Sequence, residues 1–335
     1  MTGTGMTTTH RSERGAALLT VMMIVAAMSV AALAVTHAVT QSTVRSQALD
    51  AQAQLAYYAI SAEEVAKARM IDALGTVENQ LVLGMPGLGE PQIIPVDGGA
   101  LAVTVRDATN CFNVNTLTKG LEGGVLAADP DQQKVYQSLL LAVIEDGYES
   151  DMVALVSALT DWMDDNSVPG NGGAEDGYYL SEVPSYRTSS QKLTSLDELR
   201  SVRGYTPDVY ARLRPVLCAL PGMVQSDTLN INTLEVHHAP LLRHAFSDAL
   251  EIDDARELIA SRPSEGWRSV EDLSEDPLVK AIDPALVRVD RLGLVTTLVE
   301  VSANVSYRGH DMTMRYLFET QPGRQIRTLR RERIG

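Results

Sequence analysis

The sequence predicts an α+β protein: a long N-terminal helix laid on a small antiparallel sheet, with a large all-helical insertion between the strands. Three observations carry this reading. Gly15 to Val44 contains no Asp, Glu, Lys or Arg and runs into a helix-compatible stretch reaching about Leu74. Residues near 101–107 and near the C-terminus alternate apolar and polar, as strands do. Between them, from about Thr118 to Asp290, helix start and stop signals recur.

Residues 1–15 form a polar leader carrying Arg11 and Arg14. Residues 16–40 are about long enough to cross a bilayer core, which takes roughly 20 residues of helix. Positive charge on the short N-terminal side predicts that this side stays cytoplasmic and that the body faces the periplasm. A usual secretory signal is cut after its apolar core, and Ala31, Ala32 or Ala34 offer such a site. Here another small residue, Gly15, precedes the core, so cutting there would leave the apolar helix on the mature chain.

Residues 41–117 continue the helix and begin the sheet. Leu49, Ala53, Ala56 and Ile60 recur at helical spacing, and Glu63 and Lys67 form an i,i+4 pair. From Ala16 to Leu74 one helix would span about 90 Å at 1.5 Å per residue. Gly84 to Gly99, rich in Gly and Pro, reads as loop, and Leu101 to Asp107 as a strand. Residues 118–290 are the helical insertion. Ser195-Leu196-Asp197-Glu198 is a capping box, Gly204 suits a helix end, Thr206-Pro207 a helix start, and Ser269 with Asp272 another. Residues 291–320 return to the sheet, with strands at Leu294–Glu300, Val301–Tyr307 and Met312–Glu319 and a turn at Arg308–Asp311. Residues 321–335, with Arg324, Arg327, Arg330, Arg331 and Arg333, read as a frayed basic tail.

The segment Cys111 to Leu117 has an echo in Leu229 to Leu234: each contains apolar-Asn-apolar-Asn-Thr-Leu. Asn and Thr at such positions cap helix entries, so paired capping turns explain the echo as well as a binding role does.

The net charge is −15, which argues against nucleic acid as the main partner, because phosphate binding needs a basic face. The cysteines are Cys111 and Cys218. In an oxidising compartment an even pair readily forms a disulfide; two separate buried thiols are the alternative.

The clearest chemical cluster runs from Asp161 through Asp164, Asp165 and a Gly-rich turn to Glu175 and Asp176. Such a density of carboxylates is either solvated or neutralised by a hard cation such as calcium, which takes oxygen ligands from flexible loops. The spacing is not that of an EF-hand, and no Cys or His lies nearby for zinc. The histidines His10, His37, His237, His238, His244 and His310 are scattered; His237, His238 and His244 read as surface helix residues rather than a metal site. No nucleophile elbow, phosphate loop or metalloprotease motif is present, and no catalytic residue is assigned.

The leader from Arg14 to about Val35 resembles the class III leaders of prepilins and type II secretion pseudopilins. That resemblance implies cleavage after Gly15 by a prepilin peptidase and methylation of the new N-terminus, Ala16. Most members carry Glu at the fifth mature position, where this chain has Thr20; lacking it is a trait of the protein K (GspK) branch. The rest agrees in order: Arg106-Asp107 leading to Cys111–Asn115, Asp161 to Tyr179, Leu193 to Gly204, Cys218 to Pro221 and Asn230 to Thr233. The chain therefore resembles the type II secretion system protein K family, minor pseudopilins, over nearly its full length. The resemblance implies a pilin-like domain interrupted by a domain similar to SAM or helix-hairpin-helix folds. It implies a single-pass inner-membrane protein with a periplasmic body, partnered by minor pseudopilins I and J at the pseudopilus tip, where it caps and initiates assembly. It also implies structural calcium, with Asp164, Asp165, Glu175 and Asp176, followed by Asp161, as candidate ligands. A minor pilin of a type IV pilus and a membrane-anchored helix-hairpin-helix DNA receptor are the alternatives.

Overall fold

The computed structural model describes residues 11–76, 80–85, 87–144, 148–221, 228–321 and 325–334. Most of the expected leader, residues 1–10, and Arg324 of the expected tail lie outside them. The first element is a single helix, α1 (Arg11–Thr76), of 66 residues. Its first half is exposed and apolar, and it is the one helix among the described residues long and apolar enough to cross a membrane. Hydroxyl groups inside it are satisfied locally. Thr20 Oγ1 donates to the Ala16 and Ala17 carbonyls at 3.1 and 2.9 Å. Ser29, Thr36, Thr40 and Thr43 likewise donate to the carbonyl four residues back, which removes much of the cost of a hydroxyl in an apolar phase.

The second half of α1 packs on a sheet through Ala51, Leu55, Ala59, Ala62, Ala66 and Met70, all buried. Four of these are alanines, so the helix backbone comes close enough for Tyr316 Oη to donate to the Ala59 carbonyl at 2.7 Å. The periodic set at Leu49, Ala53, Ala56 and Ile60 lies instead on the exposed side. Two helical stripes compete in this stretch, and the smaller residues win the close contact.

The sheet is antiparallel, in the order β1 (Gln92–Val96), β2 (Gly99–Asp107), β9 (Leu298–Tyr307), β10 (His310–Gln321), β11 (Gln325–Ile334). Strand β9 is central, and Val299, Val301, Ala303 and Val305 point into the core beneath α1. Three expectations are corrected here. The stretch 84–99, read as loop, contains β1; its Pro95 is tolerated because β1 is an edge strand. The two strands read at 294–307 are one, starting at Leu298; Arg308 and Gly309, both at positive φ (47° and 79°), make the hairpin turn to β10. The basic tail is not frayed but forms β11. It pairs with β10 from Thr313↔Ile334 to Gln321↔Gln325, with a bulge at Leu329. Its arginines find carboxylates: Arg327 pairs with Glu319 at 2.8 Å and Arg331 with Glu63 at 2.6 Å. Charge on an edge strand also discourages unwanted strand pairing.

Between β2 and β9 lie two modules of one design. The first opens with β3 (Phe112–Asn113) and the short hairpin β4 (Thr118–Gly120) and β5 (Leu126–Ala128). It continues with α2 (Pro130–Val143), α3 (Glu149–Met163), α4 (Asp176–Tyr179) and α5 (Pro207–Leu213), and closes with β6 (Leu217–Cys218) parallel to β3. The second opens with β7 (Leu229–Asn230), carries α6 (Ala239–Ala245), α7 (Ile252–Ala260), α8 (Val270–Ser274) and α9 (Pro277–Lys280), and closes with β8 (Leu292–Gly293) parallel to β7. The insertion is thus not purely helical, and Leu292-Gly293 belongs to it rather than to the C-terminal strands. Two-residue strands are too short to show periodicity in a sequence.

The Asn-x-Asn echo marks equivalent positions of the two modules. Asn113 Oδ1 accepts from Asn115 N, and Asn230 Oδ1 from Asn232 N. Asn115 accepts from Leu193 N and donates to Leu193 O, both at 2.8 Å; Asn232 makes the same pair with Trp267 at 2.8 and 2.9 Å. Two residues after each gripped backbone comes a capping serine, Ser195 and Ser269. The echo is therefore structural. One continuous apolar core runs through both modules.

The second module is clamped to the sheet by Asp107, the last residue of β2. Its Oδ2 accepts from Thr233 Oγ1 and Thr296 Oγ1, both at 2.7 Å, and from Asn230 Nδ2 at 3.0 Å. Asn110 adds bonds to the Asn230 backbone and to Thr233.

Candidate functional site

The acidic loop begins at the C-terminus of α3. Asp161 and Asp164 are 3 % exposed and Glu175 9 %. A helix C-terminus disfavours negative charge, so the local backbone must compensate. Gly170 N donates to both Asp161 oxygens at 3.2 and 3.1 Å. Gly173 passes so close that a Cβ there would sit 1.9 Å from Asp161 Oδ2, so any side chain at this position would displace that carboxylate. Asp164 accepts from Asn166 N and Nδ2.

Charge remains uncompensated at the centre. Burial, followed by the neighbouring Asp164 charge, pushes the Asp161 carboxyl up to about 6. Burial, then the charges of Asp161, Asp164 and Asp176, pushes Glu175 up to about 7. Asp164 is raised by burial and by Asp165. Glu175 Oε1 is buried and has no hydrogen-bond partner among the described residues. The other two acids of the cluster are engaged elsewhere. Asp165 is exposed and accepts from Leu126 N. Asp176 accepts from Thr188 N and Oγ1 at 3.0 Å and pairs with Arg187; the Thr188 backbone bond leads in lowering its pKa.

The fold thus brings Asp161, Asp164 and Glu175 into one buried environment and turns Asp165 and Asp176 outward. Among the described residues no three His, Cys, Asp or Glu side chains converge as a ready metal cage. The donor set nevertheless fits a hard cation: oxygen only, an orphaned carboxylate oxygen, and a Gly-rich backbone able to add carbonyls.

Aromatic side chains and an arginine hold this loop. Trp162 packs edge-on to Tyr179 at 5.2 Å between ring centres and touches Tyr186. Arg203 Nη1 donates to the Gly173 carbonyl at 3.0 Å, its guanidinium lies over Tyr178, and its backbone N donates to Tyr179 Oη. Sequence reading missed Arg203; nothing in the spacing links it to a loop thirty residues away.

The remaining expected sites are also placed. Gly15 and Ala16 lie within α1. Cys111 and Cys218 are joined by a disulfide, with Cα atoms 5.7 Å apart, beside the β3–β6 pair. His238 is not a surface residue: it is 8 % exposed, accepts from Glu235 N at 2.9 Å, and burial pushes its pKa down to about 3. His237 lies against it with ring centres 4.0 Å apart and planes tilted by 49°; His244 sits apart on α6 and is half-buried rather than at the surface.

Comparison with known proteins follows the same divisions. Two family models, each described as type II secretion system (T2SS), protein K, match residues 110–222 and 229–294, which are the two modules. A type II secretion system protein K from Aeromonas hydrophila is 36 % identical over 77 % of this chain and 78 % of its own length. One from Pectobacterium carotovorum is 34 % identical over 80 % of each, and one from Klebsiella pneumoniae 32 % identical over 89 % and 91 %. The structure of the GspK-GspI-GspJ complex from the type 2 secretion system of enterotoxigenic Escherichia coli contains a similar chain. The likeness has a TM-score of 0.72 at 26 % identity, over 87 % of this chain and 99 % of that one. With its modules, its leading helix and two thirds or more of its relatives' length accounted for, the chain belongs to the type II secretion system protein K family.

Proposed function

We propose that this chain is a minor pseudopilin that assembles with pseudopilins I and J and caps the tip of the periplasmic pseudopilus. The observation that carries this reading is the likeness, over nearly the whole chain, to a protein solved in complex with GspI and GspJ. The role is structural, and its mechanism is assembly. The apolar half of α1 holds the subunit in the inner membrane after cleavage behind Gly15 and methylation of Ala16. The exposed stripe of Leu49, Tyr57 and Ile60 remains for neighbouring helices. Thr20 bonds its own helix, where a carboxylate would need a cationic partner in the bilayer; lacking that carboxylate, the subunit has little reason to dock beneath another. The two modules, inserted in a pilin-like unit, add bulk that obstructs subunits above. The body matures in the periplasm, where the cysteine pair is oxidised. Calcium held by Asp161, Asp164 and Glu175, with Asp165 or Asp176 swinging in, orders the acidic loop.

The test is co-purification of the full chain with pseudopilins I and J in detergent, in calcium and in chelator. A stoichiometric complex supports tip assembly, and its loss in chelator supports structural calcium. Folded partners that form no complex in either condition overturn the reading.

A further inference from the structure

A recess of about 60 Å³ lies between β3 and β7, the opening strands of the two modules, against α2 and α6. One water needs roughly 10–15 Å³, so the recess has room for a small organic group. Its walls are apolar: Phe112 and Leu229 from the strands, Val135 and Leu139 from α2, and Leu241 from α6.

Its polar lining offers donors. Arg291, which immediately precedes β8, brings a guanidinium, and α6 brings His244. Arg291 Nε and His244 Nδ1 are both buried, and neither has a hydrogen-bond partner among the described residues. The Arg291 charge reaches the imidazole: burial leads in lowering the His244 pKa, Asp248 opposes it, and Arg291 and Arg288 add to it. Two amides complete the set. The Asn113 side-chain oxygen is taken by the backbone N–H groups of Asn115 and Leu220, and the Gln132 oxygen accepts from Thr116 Oγ1 at 3.4 Å. What both amides have left to offer is N–H.

Among the described residues no carboxylate lines the recess. Asp248, whose charge His244 feels, accepts from Ser138 Oγ at 2.8 Å. Asp290, which feels Arg291, is exposed and pairs with Arg288 at 3.3 Å. Buried donors are costly to leave unmet. On a chain of net charge −15, a guanidinium, an imidazole and two amides around one apolar recess call for an anionic acceptor.

We propose that this recess binds a carboxylate carried on a short aliphatic stem, its head at Arg291 and His244 and its stem against Phe112, Val135 and Leu229. One guanidinium matches one negative charge, and its fork matches the two oxygens of a carboxylate. A phosphate dianion would need more positive charge and would set polar oxygens against the apolar walls. The group comes from a free short-chain acid or from the C-terminal residue of another protein, which present the same chemistry. The inference uses this recess alone and stands apart from the tip-assembly reading.

The experiment is ligand-observed NMR on the full chain in nonionic detergent. The ligands are butyrate and acetyl-Ala-Ala-Leu with a free C-terminal carboxylate, each compared with its amide. Arg291→Gln removes the positive charge, and Gln132→Glu places a carboxylate in the lining while keeping an acceptor for Thr116. At least one acid should bind about tenfold more tightly than its amide, and each folded variant should lose that preference. Tighter binding of butyrate assigns a free acid; tighter binding of the peptide assigns a chain end. Equal binding of acid and amide, or a preference that either folded variant retains, would overturn the proposal. So would binding of inorganic phosphate with neither acid bound, which would assign a mineral anion. Wild type that binds none of these compounds also overturns it. If the acids then bind Asp227→Asn, a carboxylate of the chain itself, two positions before Leu229 and outside the described residues, already meets these donors.

Discussion

The Glu63 carboxylate receives the Arg331 guanidinium at both oxygens, at 2.6 and 2.9 Å, and so fastens the last strand to the first helix. Lys67 at 2.7 Å and Thr328 at 2.9 Å complete its shell. Burial alone would raise this carboxyl, but the bonds from Arg331, Lys67 and Thr328 outweigh it and hold Glu63 down to about 2. Its folded value lies below that of the unfolded chain. The stability it confers is therefore complete above about pH 4.5 and lost as pH falls through about 2. Glu63→Gln should cost about 2 kcal/mol at neutral pH, since charge-assisted bonds to a buried carboxylate are lost. Arg331→Ala should cost about half that, because Lys67 and Thr328 remain. Thermal melts between neutral pH and about pH 3 check both the size and the sign: Glu63→Gln must flatten the acid limb. An unchanged acid limb would mean that Glu63 is not the group that titrates.

This contact explains why the C-terminal strand was illegible. Five arginines in fifteen residues look like a solvated tail, and only the fold reveals the carboxylates waiting at Glu63 and Glu319. The long helix was legible because thirty uncharged residues admit few other structures. Its packing face was not, since two stripes share the helical period and the choice rests on the sheet beneath. Caps at Ser195, Thr206 and Ser269 could be read because their chemistry is local. In the acidic loop the residues were visible. The division into buried Asp161, Asp164 and Glu175 and outward Asp165 and Asp176 depends on Leu126, Arg187 and Thr188, which sequence spacing does not connect to them.

The paired asparagine grips predict equal costs in both modules. Asn115 and Asn232 are each buried and each satisfy a backbone N–H and a carbonyl on a distant segment. Leucine at either position removes both bonds and leaves those groups unpaired. Asn115→Leu and Asn232→Leu should each destabilise by about 2–4 kcal/mol in urea unfolding. Aspartate, which keeps the acceptor but loses the donor, should fare no better at neutral pH. A loss below about 0.5 kcal/mol at either site would remove the grip from the account of how the modules close.

The same equivalence locates a crosslink in the second module. Cys111 immediately precedes β3 and bonds Cys218, which lies opposite Asn113. Thr228 immediately precedes β7, and Gly293 lies opposite Asn230. A Cβ built on Gly293 would sit 2.8 Å from Thr228 Cγ2, close enough for a disulfide to replace the contact. The double variant Thr228→Cys with Gly293→Cys should oxidise without forcing and stabilise by on the order of 4 kcal/mol, less any strain. Peptide mapping of the non-reduced protein reads the pairing. Scrambling with Cys111 or Cys218, or free thiols in the folded oxidised protein, would contradict the structural duplication.

Glu175 discriminates between a cation-ordered loop and a merely solvated one. Its buried Oε1 lacks a partner among the described residues, and its charge is opposed by Asp161 and Asp164. In chelator at about pH 8 the ionised carboxylate is a liability, so Glu175→Gln should raise stability by about 1–2 kcal/mol. Wild type should overtake the variant once calcium is added. A ligand present at a hundred times its Kd contributes about 2.7 kcal/mol, which the amide, with one fewer anionic oxygen, forfeits. The crossing of the two melting curves between chelator and about 1 mM calcium is the signature to seek. Parallel curves, with the variant above wild type in both conditions, would mean that burial alone acts on Glu175. A variant less stable than wild type in chelator would mean that the carboxylate has a partner in the folded loop, and the case for a cation would lose its orphaned oxygen.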